Sequence, residues 1–177
     1  IEASTTNGLG FGPTPRAPIN AVQLVSTGPY RIGLNFGANE DQAALSATNV
    51  AGVPAVAQAN WNNLLGETGT TNNPVADVGG TATPTAVTVE WNSVLTWAST
   101  GRGEENNDFP PGADRTLMTG YLDTWDATTT SITFSNLPPE LTSGGYDAYV
   151  FTLGGVAGRG GGYRVLDAAS GQPLKDY

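Results

Sequence analysis

Apolar and polar residues alternate along several short stretches of the chain, and each such stretch predicts a β-strand. The clearest is Tyr30–Phe36, in which Tyr30, Ile32, Leu34 and Phe36 share one face and polar residues lie on the other. Because successive side chains of a strand point to opposite faces, a period of two is typical of a half-buried strand. Similar patterns predict further strands at Val87–Asn92, Ser131–Phe134, Tyr146–Leu153, Tyr163–Leu166 and Ile19–Val25.

The stretch Tyr146–Leu153 differs from the others because apolar residues fall on both of its faces. This pattern predicts a strand that is covered on both sides. A glycine-rich segment, residues 154–162, separates it from the Tyr163–Leu166 strand. The segment lacks the Lys-Ser or Lys-Thr pair of a phosphate-binding loop. We therefore interpret it as a bulged hairpin that joins Leu153 to Tyr163.

Helical spacing occurs once with any strength. Ala57, Trp61 and Leu64 fall on one face of a predicted short helix over Val56–Leu65, and Gly66 follows where a helix would end. Many short strands with turn signals between them, and one short helix, indicate an all-β fold, namely an antiparallel β-sandwich. A parallel α/β fold would need a helix after most strands, and the pattern supplies no such series.

The 177 residues are enough for one domain with its own hydrophobic core. Residues 1–18 are poor in apolar residues and rich in Gly and Pro, so they predict an extended N-terminal arm. The arm leads into a single β-sandwich domain over residues 19–177. Residues 66–84 and 98–113 are the two long loops, and loops of that length in a compact domain are usually functional or poorly ordered.

Composition narrows the range of functions. The chain has no His and no Cys, which excludes a Ser-His-Asp triad, a thiol nucleophile, a disulfide framework and the usual zinc, haem and iron–sulfur sites. A net charge of −9 disfavours nucleic acid and anionic membrane surfaces as partners, and we expect no membrane insertion. No pair of carboxylates is spaced as an acid and a nucleophile, so we expect no enzyme.

The surface chemistry points outside the cell. Charged residues make up 13% of the chain, about half of the usual quarter, and Lys occurs once. Thr, Ser, Asn and Gly take their place, which is typical of secreted proteins. We therefore expect a secreted or cell-surface protein.

Acidic loops suggest calcium as the one candidate cofactor. Glu104, Glu105, Asp108 and Asp114 cluster within eleven residues, and Ca²⁺ prefers carboxylate, amide and backbone oxygens supplied by flexible loops. No EF-hand or calcium-binding nonapeptide repeat is present, so a solvated acidic loop is the alternative. Weaker candidates are Asn39 with Glu40 and Asp41, and Asp123 with Asp126.

Aromatic residues suggest a sugar-binding patch, because flat rings stack on sugar faces while nearby polar groups bind the hydroxyls. Trp125 lies in a polar stretch and is the best candidate for an exposed ring, with Tyr121 and Asp123 beside it in the sequence. Trp97 borders a long loop and is a further member of the predicted patch. The remaining two tryptophans follow apolar patterns and are predicted core residues: Trp61 and Trp91.

A resemblance to a known group of domains rests on seven segments in a fixed order. They are Ile32–Gly37, Val50–Val53, Gln58–Leu64, Val87–Trp91, Leu117–Asp123, Leu137–Pro139 and Tyr146–Val150. Together these resemble the β-sandwich modules of large secreted bacterial multidomain surface proteins. The resemblance implies a galactose-binding-like jelly roll and says little about the ligand. In such sandwiches a segment similar to Ile19–Val25 closes a domain, so residues 19–25 are expected to complete either this sheet or that of a neighbouring copy.

Two functions remain open at this stage. The first is a non-catalytic extracellular binding module, adhesive or carbohydrate-binding, whose partner is a polysaccharide. The second is a structural subunit or repeat of an extracellular fibre, sheath or surface layer, whose partner is another copy of the chain. Assembly by β-strand addition would derive affinity from backbone hydrogen bonds and needs no marked chemical motif.

Overall fold

The computed structural model describes residues 1–6, 10, 12, 14–100, 106–154, 156 and 158–177. These residues form fourteen strands and two short helices. The strands are β1 (Glu2–Ser4), β2 (Ala21–Ser26), β3 (Tyr30–Asn35), β4 (Asn62–Asn63), β5 (Thr68–Asn72), β6 (Val75–Val78), β7 (Thr81–Pro84), β8 (Thr88–Asn92), β9 (Leu95–Ala98), β10 (Gly120–Asp123), β11 (Thr129–Ser135), β12 (Tyr146–Phe151), β13 (Gly162–Leu166) and β14 (Pro173–Asp176). The helices are α1 (Ala113–Leu117) and α2 (Pro139–Thr142).

The longer strands belong to two sheets, which confirms the predicted all-β sandwich. Sheet one has the order β14-β13-β1-β11-β8-β5, and sheet two has the order β12-β2-β3-β6-β7. Every pairing along these two orders is antiparallel. The antiparallel pair of β9 and β10 forms a separate two-stranded sheet, and β4 adds one short parallel pair to β3.

The core lies between the two sheets, where the predicted alternation places it. Ile32, Leu34 and Phe36 are fully buried, and so are Val87 and Val89 of the facing sheet. The ring of Phe36 meets that of Trp91 edge to face, with centroids 6.3 Å apart. Trp61 and Trp91 are both buried, as predicted. The alternation of apolar and polar residues therefore predicted these core positions correctly.

The predicted helix over Val56–Leu65 is wrong. Asn60 has a φ of 54°, and Asn62–Asn63 form β4 against β3. The side chain of Asn62 donates to the carbonyls of Gly33 and Val75 and accepts from the Val75 N–H. These hydrogen bonds and the pairing with β3 require an extended backbone, which is incompatible with a helix. The apolar residues of the segment, Trp61 among them, are buried by tertiary packing, and both helices of the described chain lie elsewhere.

Two expectations about the N-terminal residues also change. Residues 1–18 were predicted as an arm, but Glu2–Ser4 pairs on both sides, with β11 and with β13, inside sheet one. The predicted closing strand at residues 19–25 is largely β2, and β2 pairs with β3 and β12 of the same chain. It therefore contributes to its own sheet rather than to a neighbour's.

The glycine-rich segment 154–162 does not form the predicted hairpin, because the strands on its two sides never pair. β12 pairs with β2 in sheet two, whereas β13 pairs with β1 and β14 in sheet one. The chain thus crosses from one sheet to the other at this point. Within the described part of the chain, no helix is long and apolar enough to span a membrane.

Candidate functional site

The predicted sugar-binding residues come together around the antiparallel pair of β9 and β10. Its ladder places Trp97 directly opposite Tyr121. Tyr121 and Asp123 are each only 5% exposed, and Trp97 is half-buried. A surface that stacks on sugar needs an open ring face, and the ring of Tyr121 lacks one.

Trp125, predicted to be the exposed ring of the patch, is half-buried beneath an arginine. The guanidinium carbon of Arg16 lies 5.2 Å from the centroid of the Trp125 ring, within the range of a cation–π contact. The Arg16 Nε atom lies 3.5 Å from Asp123 Oδ1. The same three side chains that chemistry would assign to a ligand therefore bind one another.

A small pocket opens beside these residues, and we call it the arginine pocket. Its lining includes Arg16, Tyr121, Asp123, Leu153 and Arg159. Its volume is about 30 Å³, which holds about two water molecules. A sugar ring does not fit in that space. The residues of the predicted patch instead contact Arg16 inside the fold.

Among the described residues, the structure does not bring the predicted calcium ligands together. Glu104 and Glu105 lie outside the described residues. Asp108 and Asp114 are both exposed, and Asp114 Oδ1 accepts a hydrogen bond from the Gly52 N–H at 2.9 Å. No group of three or more acidic side chains with metal-binding spacing occurs among the described residues. Calcium at this loop stays a prediction.

A larger concave site lies where sheet two ends. One wall is β12, and the facing wall is formed by Tyr163, Arg164 and Val165 of β13 together with Tyr177. The volume between the walls is about 650 Å³, within the range of ordinary ligand sites. We call this site the tyrosine cleft, because four of the six tyrosines of the chain line it: Tyr146, Tyr149, Tyr163 and Tyr177.

A second hollow of about 400 Å³ continues the cleft between the sheets, and four lining residues are common to both cavities. Its lining adds apolar side chains from each sheet, namely Leu24 from sheet two and Phe134 and Leu174 from sheet one or its edge. The charged residues of the tyrosine cleft are Asp147 and Arg164. Arg164 already bonds Asp176, with Nε 3.0 Å from Oδ1.

Tyr163 anchors the deep side of the cleft. Its hydroxyl donates to the carbonyl of Pro18 at 3.0 Å, and its ring packs against the main core. Burial of the phenol disfavours its charged form and raises the pKa of Tyr163 to about 12, against a weaker opposing effect of its hydrogen bond with Thr152. The wall is therefore rigid and carries a neutral phenol throughout the physiological pH range.

The strand that forms the other wall is an unusual sheet edge. β12 has six residues and contains no Pro, Gly or Lys, whereas the edge strands β7 and β14 have four residues each and contain Pro84 and Pro173. The fourth edge strand, β5, carries Gly69 in the middle of a polar sequence. Proteins usually protect exposed edges with short strands, Pro or Lys. β12 lacks all three, and among the described residues only β2 pairs with it.

Sequence reasoning did not identify the tyrosine cleft, although two signals for it were present. Four of the six tyrosines fall within the last 32 residues, and the strand Tyr146–Leu153 is apolar on both faces. The second signal was interpreted as complete coverage of the strand. In the structure the same pattern marks a strand with one face on its own outer layer and the other beside an open cleft.

Comparison of the chain with protein-family models, with curated proteins and with solved structures gives no match. The fold defines an all-β sandwich with antiparallel sheets. Its resemblance to galactose-binding-like modules stays a prediction.

Proposed function

We propose that this protein is a non-catalytic subunit of an extracellular assembly, and that it binds its neighbour by β-strand addition at β12. The observation that supports this most directly is the unprotected six-residue edge of β12 beside the tyrosine cleft. An extended segment placed there gains main-chain hydrogen bonds from the edge and side-chain contacts from the cleft. The low content of charged residues and the many Ser and Thr residues of the chain support an extracellular setting.

The chemistry of the cleft supports binding rather than catalysis. Asp147 is the one carboxylate side chain in the described lining of the cleft, and Glu2 and Asp167 line only the adjoining hollow, whereas acid–base catalysis of glycoside cleavage needs two carboxylates that flank the bond. Tyrosines instead supply large contact areas at a low cost in side-chain entropy, which is why binding surfaces favour them. Adhesion or assembly therefore accounts for this lining better than turnover does.

A matched pair of variants tests the assembly. Ala148 lies on β12 and lines the tyrosine cleft, while Ala82 lies on β7 at the opposite edge of the same sheet, and both are exposed. Lys on a sheet edge opposes strand pairing. We expect Ala148→Lys to abolish the formation of oligomers or fibres, followed by analytical ultracentrifugation and electron microscopy, and Ala82→Lys to leave it intact.

Assembly that is equally sensitive to both variants, or a wild-type chain that stays monomeric at every concentration and in its native setting, contradicts the proposal. Thermal unfolding of both variants confirms that each is folded. Because both substitutions change the net charge equally, a general electrostatic effect would act on both alike.

Carbohydrate binding is the second candidate function, and the four cleft tyrosines favour it. All four line the cleft, Tyr146 and Tyr149 from the two faces of the β12 edge and Tyr163 and Tyr177 from the facing wall, so they offer several rings on which sugar units could stack. A polysaccharide panel tested against wild type, Tyr149→Ala and Trp125→Ala separates the sites. Loss of binding in Tyr149→Ala alone places a glycan in the cleft, loss in Trp125→Ala alone restores the predicted patch, and absence of binding to every glycan removes this candidate.

A further inference from the structure

Sheet one extends beyond sheet two at the tyrosine cleft. Val165 of β13, Leu174 of β14 and Tyr177, which follows β14, lie at this end, and Leu174 and Tyr177 are 67% and 76% exposed. In a complete sandwich, residues on the inner face of one sheet are covered by the other sheet. Among the described residues, sheet two ends at β12 and provides no strand to cover them. The uncovered area therefore corresponds to a missing neighbour of β12.

The edge of β12 determines the class of molecule that fits this position. Half of the N–H and C=O groups of an edge strand point away from its partner, and along β12 they point toward the space that the missing neighbour would occupy. An extended polypeptide matches this row of donors and acceptors at the spacing of a sheet. A glycan or a small ligand offers no such repeat. The edge therefore favours a β-strand as the occupant.

The side chains of β12 determine the pattern of that strand. Tyr146, Ala148 and Val150 are alternate residues of β12 and share the face that points between the two sheets, because Ala148 and Val150 lie opposite the core residues Leu24 and Val22 of β2. Directly opposite residues in neighbouring strands point to the same face of a sheet. A strand paired with β12 would therefore direct every second side chain between the sheets, toward Val165 and Leu174. Apolar side chains suit those positions, because the adjoining hollow between the sheets is lined by apolar side chains such as Leu24, Phe134 and Val165.

The charges around the cleft determine which residues suit the outward-facing positions of the bound strand. Glu2, Asp147 and Asp167 lie around the cleft and its adjoining hollow. The cations nearby already have partners: Arg164 is paired with Asp176, the Lys175 ammonium lies 5.6 Å from the centroid of the Tyr177 ring, and the N-terminal ammonium donates to the Ile132 carbonyl. The whole chain carries a net charge of −9. An acidic segment would be repelled, and neutral or basic side chains suit the outward-facing positions.

We infer that the occupant of the tyrosine cleft is a single extended segment of another polypeptide chain, apolar at every second position and neutral or basic between them. It pairs with β12 and inserts its apolar side chains between the two sheets, so that it completes the sandwich. This inference rests on the proposed function and specifies the partner of the same site. It differs from flat edge-to-edge pairing, in which backbone bonds alone would join the chains.

Two capped nonapeptides of identical composition test the pattern. The first, Lys-Thr-Val-Thr-Val-Thr-Val-Thr-Lys, places all three valines on one face of a strand. The second, Lys-Thr-Thr-Val-Val-Val-Thr-Thr-Lys, places at most two valines on either face. Binding to the full chain is measured by titration calorimetry and by shifts of the β12 amide signals in NMR spectra. We expect the alternating peptide to bind at least about tenfold more tightly, the effect of losing one buried valine contact.

Two variants locate the binding. Val165→Asp places a charge on the wall that faces β12 without touching the β12 edge, and Thr70→Asp places the same charge on β5, at the far edge of sheet one. We expect Val165→Asp to abolish binding of the alternating peptide and Thr70→Asp to leave it unchanged. Urea unfolding of both variants, with chemical shifts away from the cleft, shows that the fold persists.

The outcomes separate the inference from the proposed function. Equal affinity for the two peptides, or binding that Val165→Asp does not weaken, overturns insertion between the sheets and leaves edge pairing in place. Assembly that Ala148→Lys blocks, without binding of either peptide, likewise overturns the inference alone. Absence of both peptide binding and assembly overturns both, and glycan binding in the cleft without peptide binding assigns the site to carbohydrate instead.

Discussion

The arginine pocket and the tyrosine cleft contain the same kinds of side chains and differ in how much open space those side chains leave between them. In the arginine pocket, Arg16 covers the ring of Trp125 and lies against Asp123, and the remaining space is about 30 Å³. In the tyrosine cleft, the walls belong to two different sheets and about 650 Å³ separates them. Aromatic and charged residues thus fill the space at one site and line an open cleft at the other.

The difference follows from how the chain closes each region. Around the arginine pocket, residues 16 and 19 form bridges to Trp125 and Leu122, so strands of one layer are joined across it. At the tyrosine cleft, the glycine-rich connection crosses between sheets and leaves β12 and β13 unpaired with each other. Candidate binding residues are therefore better judged by what surrounds them than by their type.

Asp123→Ala should have the largest effect on stability and break the arginine pocket. Removing the carboxylate leaves the partly buried guanidinium of Arg16 without its ion-pair partner. We expect a loss of about 2 kcal/mol in the free energy of unfolding, measured in urea.

Asp147→Ala in the tyrosine cleft is the matched control, because Asp147 is exposed at a sheet edge. Its free energy of unfolding should change by less than about 0.5 kcal/mol. Equal losses in the two variants would show that the two regions do not differ in the way described.

Tyr163→Phe should have an intermediate effect, with a distinctive pH dependence. Loss of the hydrogen bond to Pro18 should cost about 1 kcal/mol at neutral pH. In the wild type the pKa of Tyr163 is raised from 10.0 to about 12 in the folded chain, so its contribution is complete below pH 10 and is lost as the pH rises through 12. This loss amounts to about 2 to 3 kcal/mol.

Urea unfolding between pH 9 and pH 12 checks this prediction. The variant should lose stability less steeply than the wild type, because its unfolded state has one phenol fewer to ionise. Some alkaline sensitivity should remain, since burial also raises the pKa of Tyr30. Tyr149→Phe serves as the control, and a slope in that variant as shallow as in Tyr163→Phe would contradict the role given to Tyr163.

Leu174→Ser should have the smallest effect on the isolated chain. Leu174 is 67% exposed on an edge strand, so its removal should change the free energy of unfolding by less than about 0.5 kcal/mol. It should nevertheless weaken binding of the alternating peptide, because the side chain lines the hollow beside the cleft. A large loss of stability would show that Leu174 is a core residue rather than an uncovered one.

The sequence predicted the strands with regular alternation well and missed elements that lack it, since the predicted long loop over residues 66–84 contains β5, β6 and β7. Alternation in Tyr30–Phe36 correctly gave a strand and its buried face, because strand periodicity is a local property. The spacing of Trp61 and Leu64 suggested a helix, but both residues are buried by contacts with a sheet that lies elsewhere in the sequence. Local spacing does not distinguish these two cases.

Prediction of the candidate site from the sequence was limited for the same reason. Tyr121, Asp123 and Trp125 were correctly expected to be neighbours, since they lie within five residues of each other. Asp123 and Trp125 contact Arg16, which lies more than a hundred residues away, and no pattern in the sequence pairs it with them. The tyrosine cleft likewise depends on which sheet each of two consecutive strands joins.

The position of β1 sets a constraint on how the protein folds. Glu2 is paired with Ser131 on one side and with Arg164 on the other, so sheet one joins residues from the two ends of the described chain. Contacts this distant in sequence make folding slow, in the range of milliseconds to seconds for β-rich domains. At ribosomal rates of about 5–20 residues per second, β1 waits several seconds for either partner to be synthesised. During that interval the strands of sheet two, whose partners are mostly close in sequence, can pair first, and the nascent chain must be kept from aggregating until sheet one forms.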